Sequence, residues 1–236
     1  MDGITVWVDR PSSRERDDDQ ALLTASELQL MRRLVQPADQ DRFSAAWALA
    51  RETLGGLLGT DPRLLRFDRS CSLCGHGTHG KPRLVGASLQ FSIAHAEDRV
   101  LVAVADRIPV GVDVEPANAP TAEVADLVRH PSERDDGVGL VRLWVRKEAI
   151  LKVTGHGLVR PMTGIVADPA PDGLVVTDLS IGQDYVAAVA AASDGALDVK
   201  VRSGPTGSRC PQARRAQSTD PKGLSPYTSR QCSGSS

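Results

Sequence analysis

Apolar and polar positions change their period along the chain, and the changes mark out its elements. Residues 4–8 alternate with a period of two and predict an edge strand. Residues 14–20 are strongly charged and carry no apolar stripe, so a solvated loop is expected there. Thr24 and Glu27 have the spacing of a capping box, opening a helix that carries Leu28, Met31, Leu34 and Val35 and that Pro37 is expected to end. A second helix, from about residue 39 to 58, places Phe43, Ala46, Trp47, Ala50 and Leu54 on one face, with Arg42 and Arg51 off it. Residues 67–84, rich in Cys, Gly and His, read as a loop. Short strands follow near 89–93 and 100–105, and the turn 106–109 leads into a third strand at 110–115. Beyond a linker with Pro116 and Pro120, the stripe Leu140, Leu143, Trp144, Lys147 and Leu151 predicts a helix that Gly155 stops. Residues 174–179 and 185–191 read as a hairpin.

Segments 97–105 and 183–191 resemble each other, each a strand entered from an aspartate. That weak repeat permits two similar α+β halves. Residues 203–236 are Ser, Pro, Gly and Arg with almost no large apolar side chain, a composition that does not repay the entropy of ordering, so a disordered tail is expected. The remainder, in a chain of 236 residues with 41% apolar content, suffices for one good core or two small ones. A net charge of −2 supplies no basic field for nucleic acid, and no stretch approaches the apolar length of a membrane span. The first ten residues lack a basic leader, so a cytoplasmic enzyme with neither nucleic-acid nor membrane partners is expected.

The candidate chemistry sits in two frames. In the strand 110–115 the valines share one face, and Asp113 and Glu115 share the other, roughly 7 Å apart at their Cα atoms. Carboxylates so spaced can converge on a hard cation such as magnesium. In the helix, Glu148 and Lys152 lie one turn apart at the border of the buried stripe, suited to a cleft and equally to a solvated ion pair; the neighbouring strand favours the cleft. Lysine is rare, at 81, 147, 152, 200 and 222 only, in a chain that otherwise uses arginine. A compact ammonium suits phosphate oxygens and proton transfer, whereas arginine keeps its proton. Cys71, Cys74, His76 and His79 make a plausible zinc set, yet crowd into nine residues; a glycine-rich loop is the reading preferred.

Gly111, Asp113 and Glu115, with Trp144, Lys147, Glu148, Ala149, Lys152, Gly155 and Gly157, resemble the two signature motifs of the Sfp-type 4′-phosphopantetheinyl transferases. Gly80, Lys81 and Pro82, and Phe91, Ser92 and His95, match two further motifs upstream, so the resemblance spans residues 4 to 202. It implies an α+β pseudo-dimer: an N-terminal half, 1–107, on the coenzyme A side, and a C-terminal half, 108–202, carrying the metal and the catalytic helix. A monomer would use coenzyme A as co-substrate and move its phosphopantetheine arm to a serine of an acyl or peptidyl carrier protein, releasing 3′,5′-ADP. By the same resemblance Asp113, Glu115 and Glu148 hold magnesium, Glu148 is also the candidate base, and Lys152 assists the leaving group. Lys81, Pro82, Ser92, His95, Lys147 and, more loosely, Arg42 contact the co-substrate. Ala94 departs from the family's serine beside the histidine. The same carboxylates would also serve a magnesium-dependent nucleotide or pyrophosphate hydrolase, which leaves the upstream motifs without a purpose. A carrier helix could meet Leu158, Val159 and Met162, for which core packing is an equally good account.

Overall fold

The structure is a computed structural model that describes residues 3–71, 74–75, 80–120, 122–133, 139–155 and 160–205. Residues 1–206 form one compact unit. The expected tail lies outside the described residues, apart from its first three, which are ordered: Ser203 ends a strand and the Gly204 amide donates to the Val8 carbonyl.

The unit is α+β. One sheet holds β1 (Gly3–Asp9), β4 (Leu89–Ala96), β5 (Arg99–Asp106) and β9 (Asp198–Ser203) in the order β4-β5-β1-β9. The second holds β6 (Val110–Pro116), β7 (Leu174–Leu179) and β8 (Tyr185–Ala192) in the order β6-β8-β7, all antiparallel. A small ribbon pairs β2 (Phe67–Asp68) with β3 (Arg83–Leu84). The helices are α1 (Arg16–Leu22), α2 (Ala25–Met31), α3 (Pro37–Leu58), α4 (Ala125–Val128) and α5 (Leu140–Thr154).

Period-two alternation builds the middle of the molecule. Ile4, Val6, Leu101 and Ala103 from the first sheet pack against Val110, Val112, Val114 and Val189 from the second in one buried cluster. On the outer face of the first sheet, Ala46, Leu49, Ala50 and Leu54 of α3 meet Phe91, Val100, Val102 and Val104. On the outer face of the second, Ala149, Ile150 and Val153 of α5 meet Ala190. The order helix, sheet, sheet, helix follows. The two similar segments noted in the sequence are β5 and β8, each an inner strand of its own sheet.

Four expectations are corrected. Strand β1 is internal, because β9 pairs with it in parallel on the side away from β5. As β9 comes from the end of the chain, the sheet of the N-terminal half is completed by residues of the C-terminal half. The charged stretch forms α1: Asp17, Asp18 and Asp19 lie in its first turn, where the helix dipole favours acids, and Asp19 is buried against Arg14. Arg14 also binds Asp9 and Glu52, so these charges are paired with one another at the edge of α3. Pro37 opens α3, where its missing N–H costs nothing. Arg51 is buried, its guanidinium paired with Glu27 at 2.8 Å and lying over the Phe67 ring. Glu27 thus serves both the capping box that opens α2 and the core beneath it.

Candidate functional site

Gly111 sets the geometry of the site. A Cβ at this position would stand 2.0 Å from the Ala149 carbonyl oxygen and 2.8 Å from the Val153 nitrogen, so only glycine lets α5 lie this close to β6. The neighbours of Gly111 on the same face of β6 are Asp113 and Glu115, and the helix pressed against them carries Glu148 and Lys152. Gly155, at φ 73°, then ends α5, its amide donating to the Leu151 carbonyl.

Lys152 Nζ donates to Asp113 Oδ1 at 2.7 Å and to the Val112 carbonyl at 3.0 Å. Asp113 is 7% exposed, and its Oδ2 is buried with no hydrogen-bond partner among the described residues. Burial raises the Asp113 carboxyl above its usual range, with Lys152 opposing. Glu148 is raised by burial and then by the charge of Asp113. Glu115 is pushed up to about 7, by burial first and then by Asp113, with Glu148 and Glu97 adding to it. These mutual effects mean that the three carboxylates share one neighbourhood with the Lys152 ammonium.

Basic residues lie near this group: Lys81 is bound to the same strand, and His95 feels the charge of Lys152. Lys81 Nζ donates to the Val110 carbonyl at 2.7 Å, its stem passes over Gly155 at the C-terminus of α5, and burial lowers its ammonium to about 8. His95 lies toward the C-terminal end of β4 and is solvent-exposed; partial desolvation, then the charges of Lys152 and Arg42, hold its imidazole below the ordinary range. Arg42 binds Asp39 at the start of α3. Pro82 is half-buried beside Lys81.

Two candidate residues are placed elsewhere. Ser92 is buried, and its hydroxyl accepts the Val112 N–H at 3.1 Å, so it joins β4 to β6. Lys147 is fully buried, and its ammonium donates to Glu133 Oε2 at 2.5 Å and to the carbonyls of Val128 and Met162. An ammonium has three protons, and all three are used inside the second half, which removes Lys147 from the co-substrate contacts. Met162 is also buried in the cluster around α5, which favours core packing of the two accounts given for it; Leu158 and Val159 lie outside the described residues. Glu133, which also accepts the amides of His130 and Ala167, carried no signal in the sequence: it sits after a linker, fourteen residues before its partner.

Among the described residues, no three His, Cys, Asp or Glu side chains form a ready-made cation cage. Magnesium does not need one, since it binds through one or two carboxylates and completes its shell with water and phosphate oxygens. The orphaned Asp113 oxygen, and the raised carboxyls beside it, are what a divalent cation would satisfy, so the residues present fit magnesium. Of the zinc set, Cys71 is buried and Cys74 exposed, while His76 and His79 lie outside the described residues.

The profile of the 4'-phosphopantetheinyl transferase superfamily matches residues 109–190, which contain β6, α5, β7 and most of β8. The 4'-phosphopantetheinyl transferase AcpT of Salmonella typhi is 30% identical over 145 residues, covering 56% of this chain and 70% of AcpT. This chain belongs to the 4'-phosphopantetheinyl transferase superfamily. Other similar proteins are the 4'-phosphopantetheinyl transferase HetI of Nostoc sp., 29% identical over 67% of this chain and 71% of HetI, and a 4'-phosphopantetheinyl transferase of Bacillus subtilis, 28% identical over 76% and 81%. The chain is therefore a transferase, and the matched stretch of this superfamily member includes Gly111 and the turn of α5 that lies against it. No helix among the described residues is long and apolar enough to cross a membrane.

Proposed function

We propose that this transferase moves the 4′-phosphopantetheine arm of coenzyme A onto a serine of an acyl or peptidyl carrier protein, with magnesium, as a cytoplasmic monomer. The observation that carries the reading is the buried Asp113 with one oxygen unpartnered among the described residues, grouped with Glu115 and Glu148, while Lys81 is bound to the same strand and His95, beside Arg42, feels the charge of Lys152. A pyrophosphate needs both: cations for its oxygens, and carboxylates for the metal ion that accompanies it.

Asp113, Glu115 and Glu148 would hold magnesium, which when bound neutralises charge on the pyrophosphate and on the departing phosphate. Lys81, His95 and Arg42 would bind the phosphates of the nucleotide portion. The carrier serine oxygen forms a bond to the phosphorus next to the pantetheine arm, and the bond from that phosphorus to the bridging oxygen breaks, releasing 3′,5′-ADP. Glu148, on the helix face turned to Asp113, would accept the serine proton directly or through water. Lys152, which holds Asp113, is within the same group of charges and stabilises the leaving phosphate.

Intact mass spectrometry of an apo carrier protein incubated with coenzyme A, magnesium and this protein is the test. The carrier gains the mass of the phosphopantetheine arm, and Glu148→Gln lowers the rate by about 10²- to 10⁴-fold. Phosphate release from coenzyme A or nucleotides in the absence of any carrier would instead make the protein a hydrolase and overturn the reading.

A further inference from the structure

We infer that Ser92 is a positioning residue for the acidic group on β6, acting through the Val112 amide and not through the co-substrate. This rests on the transfer reading above for its kinetic arm only.

Strand β6 is the edge of its sheet, with β8 on one side. A free edge presents unpaired N–H and C=O groups that water or another strand would take. Here, side chains from three other segments take three of them. Lys81 donates to the Val110 carbonyl at 2.7 Å, Lys152 of α5 donates to the Val112 carbonyl at 3.0 Å, and the Ser92 hydroxyl accepts the Val112 N–H at 3.1 Å. Ser92 lies on β4, the edge strand of the other sheet, so one hydroxyl fastens the two sheets edge to edge.

The fastened residue immediately precedes Asp113. Val112 is fixed by its N–H to the first half and by its C=O to α5, and the lysine that holds the C=O also holds the Asp113 carboxylate. At 4% exposure Ser92 is too deep to offer its hydroxyl to a ligand in the cleft. Ser92→Ala removes the acceptor, leaves a buried N–H without a partner, and frees this stretch of β6 to draw away from β4. Asp113 and Glu115 then lose the fixed placement on which cation affinity depends, a loss that supporting hydrogen bonds commonly set at about tenfold or more.

The test compares the full chain with its Ser92→Ala form in three measurements. Hydrogen exchange followed by NMR is expected to show the Val112 amide exchanging about tenfold faster, with the amides of β5 unchanged. Titration calorimetry with magnesium chloride alone is expected to show about tenfold weaker binding. In carrier modification, the magnesium concentration for half-maximal rate is expected to rise by a similar factor. The KM for coenzyme A at saturating magnesium is expected to change by less than about twofold. Unchanged exchange at Val112, or faster exchange with unchanged magnesium binding, would overturn the inference. So would a rise in the coenzyme A KM alone, which would make Ser92 a ligand contact. If the unmutated protein modifies no carrier, the transfer reading fails while exchange and calorimetry still decide the role of Ser92.

Discussion

Replacing Gly111 with alanine probes the approach of α5 to β6 more directly than any change at the charged residues themselves. The added Cβ would stand 2.0 Å from the Ala149 carbonyl oxygen and 2.8 Å from the Val153 nitrogen, both backbone atoms that cannot rotate away. Nonbonded heavy atoms prefer separations of about 3.5 Å or more, so helix and strand must part by more than about 1 Å. Overpacking of this kind costs about 1–3 kcal/mol of stability. The catalytic cost is larger, because the helix that retreats carries Glu148 and Lys152 while the strand carries Asp113 and Glu115. A misplacement of about 1 Å can lower a rate by about 10²-fold. Gly111→Ala is therefore expected to unfold at a lower urea concentration yet remain folded at 25 °C, and to modify carrier protein about 10²-fold more slowly at saturating coenzyme A and magnesium. Circular dichroism against urea and the mass-spectrometric transfer assay read the two effects separately. Transfer within threefold of the parent protein, in a variant shown to be folded, would refute the argument that this contact sets the active geometry.

Lys147→Met leaves Glu133 buried without its cation; breaking such a pair costs about 3–5 kcal/mol, and urea unfolding that shifts by less than 1 kcal/mol would contradict the pairing. The raised Glu115 carboxyl binds its proton more tightly in the folded chain than in the unfolded one, so its contribution to stability is full below about pH 4.5 and is lost as pH rises through about 7. Melting temperature in chelator should fall across that window, more shallowly in Glu115→Gln, and magnesium should restore it; an identical slope in the variant would count against the assignment. Lys81 acts in the same direction on ligand binding: with its ammonium at about 8, coenzyme A affinity should be full below that pH and decline above it. Lys81→Arg, which keeps its charge, should flatten the decline in a calorimetric pH series, and a parallel decline in the variant would show that another group titrates.

Local periodicity carried the elements that depend on near neighbours, and non-local pairing hid the rest. The valines of β6, the α5 stripe with its Gly155 stop, the Thr24 capping box and the β7-β8 hairpin are all visible within windows of a few residues, and the structure forms them. The inner position of β1 depends on β9, almost two hundred residues away, whose Val199 and Val201 alternate with charged residues and expose most of the strand. Arg14 is buried because Glu52 comes to it from α3, a meeting that no pattern around residue 14 announces. Ser92 falls in a motif, but what its hydroxyl does depends on an edge strand twenty residues on.

Lys147 and Glu148 show most clearly where spacing stops being informative. Adjacent residues on a helix point about 100° apart, so one motif necessarily aims two charged side chains in different directions. Which of them meets the cleft is decided by the partner waiting on each side. Glu133 and the carbonyls of Val128 and Met162 take Lys147 inward, while Asp113 and Glu115 surround the direction left to Glu148. Burial of the lysine therefore fixes the rotation of α5 about its own axis. A charge turned away from Asp113 thereby governs where the proposed catalytic carboxylate points, which is reason enough for a lysine to stand beside it in a chain that otherwise prefers arginine. The three carbonyl and carboxylate oxygens around Nζ suit a compact ammonium, whereas the planar fork of an arginine would not fit a site already closed to solvent.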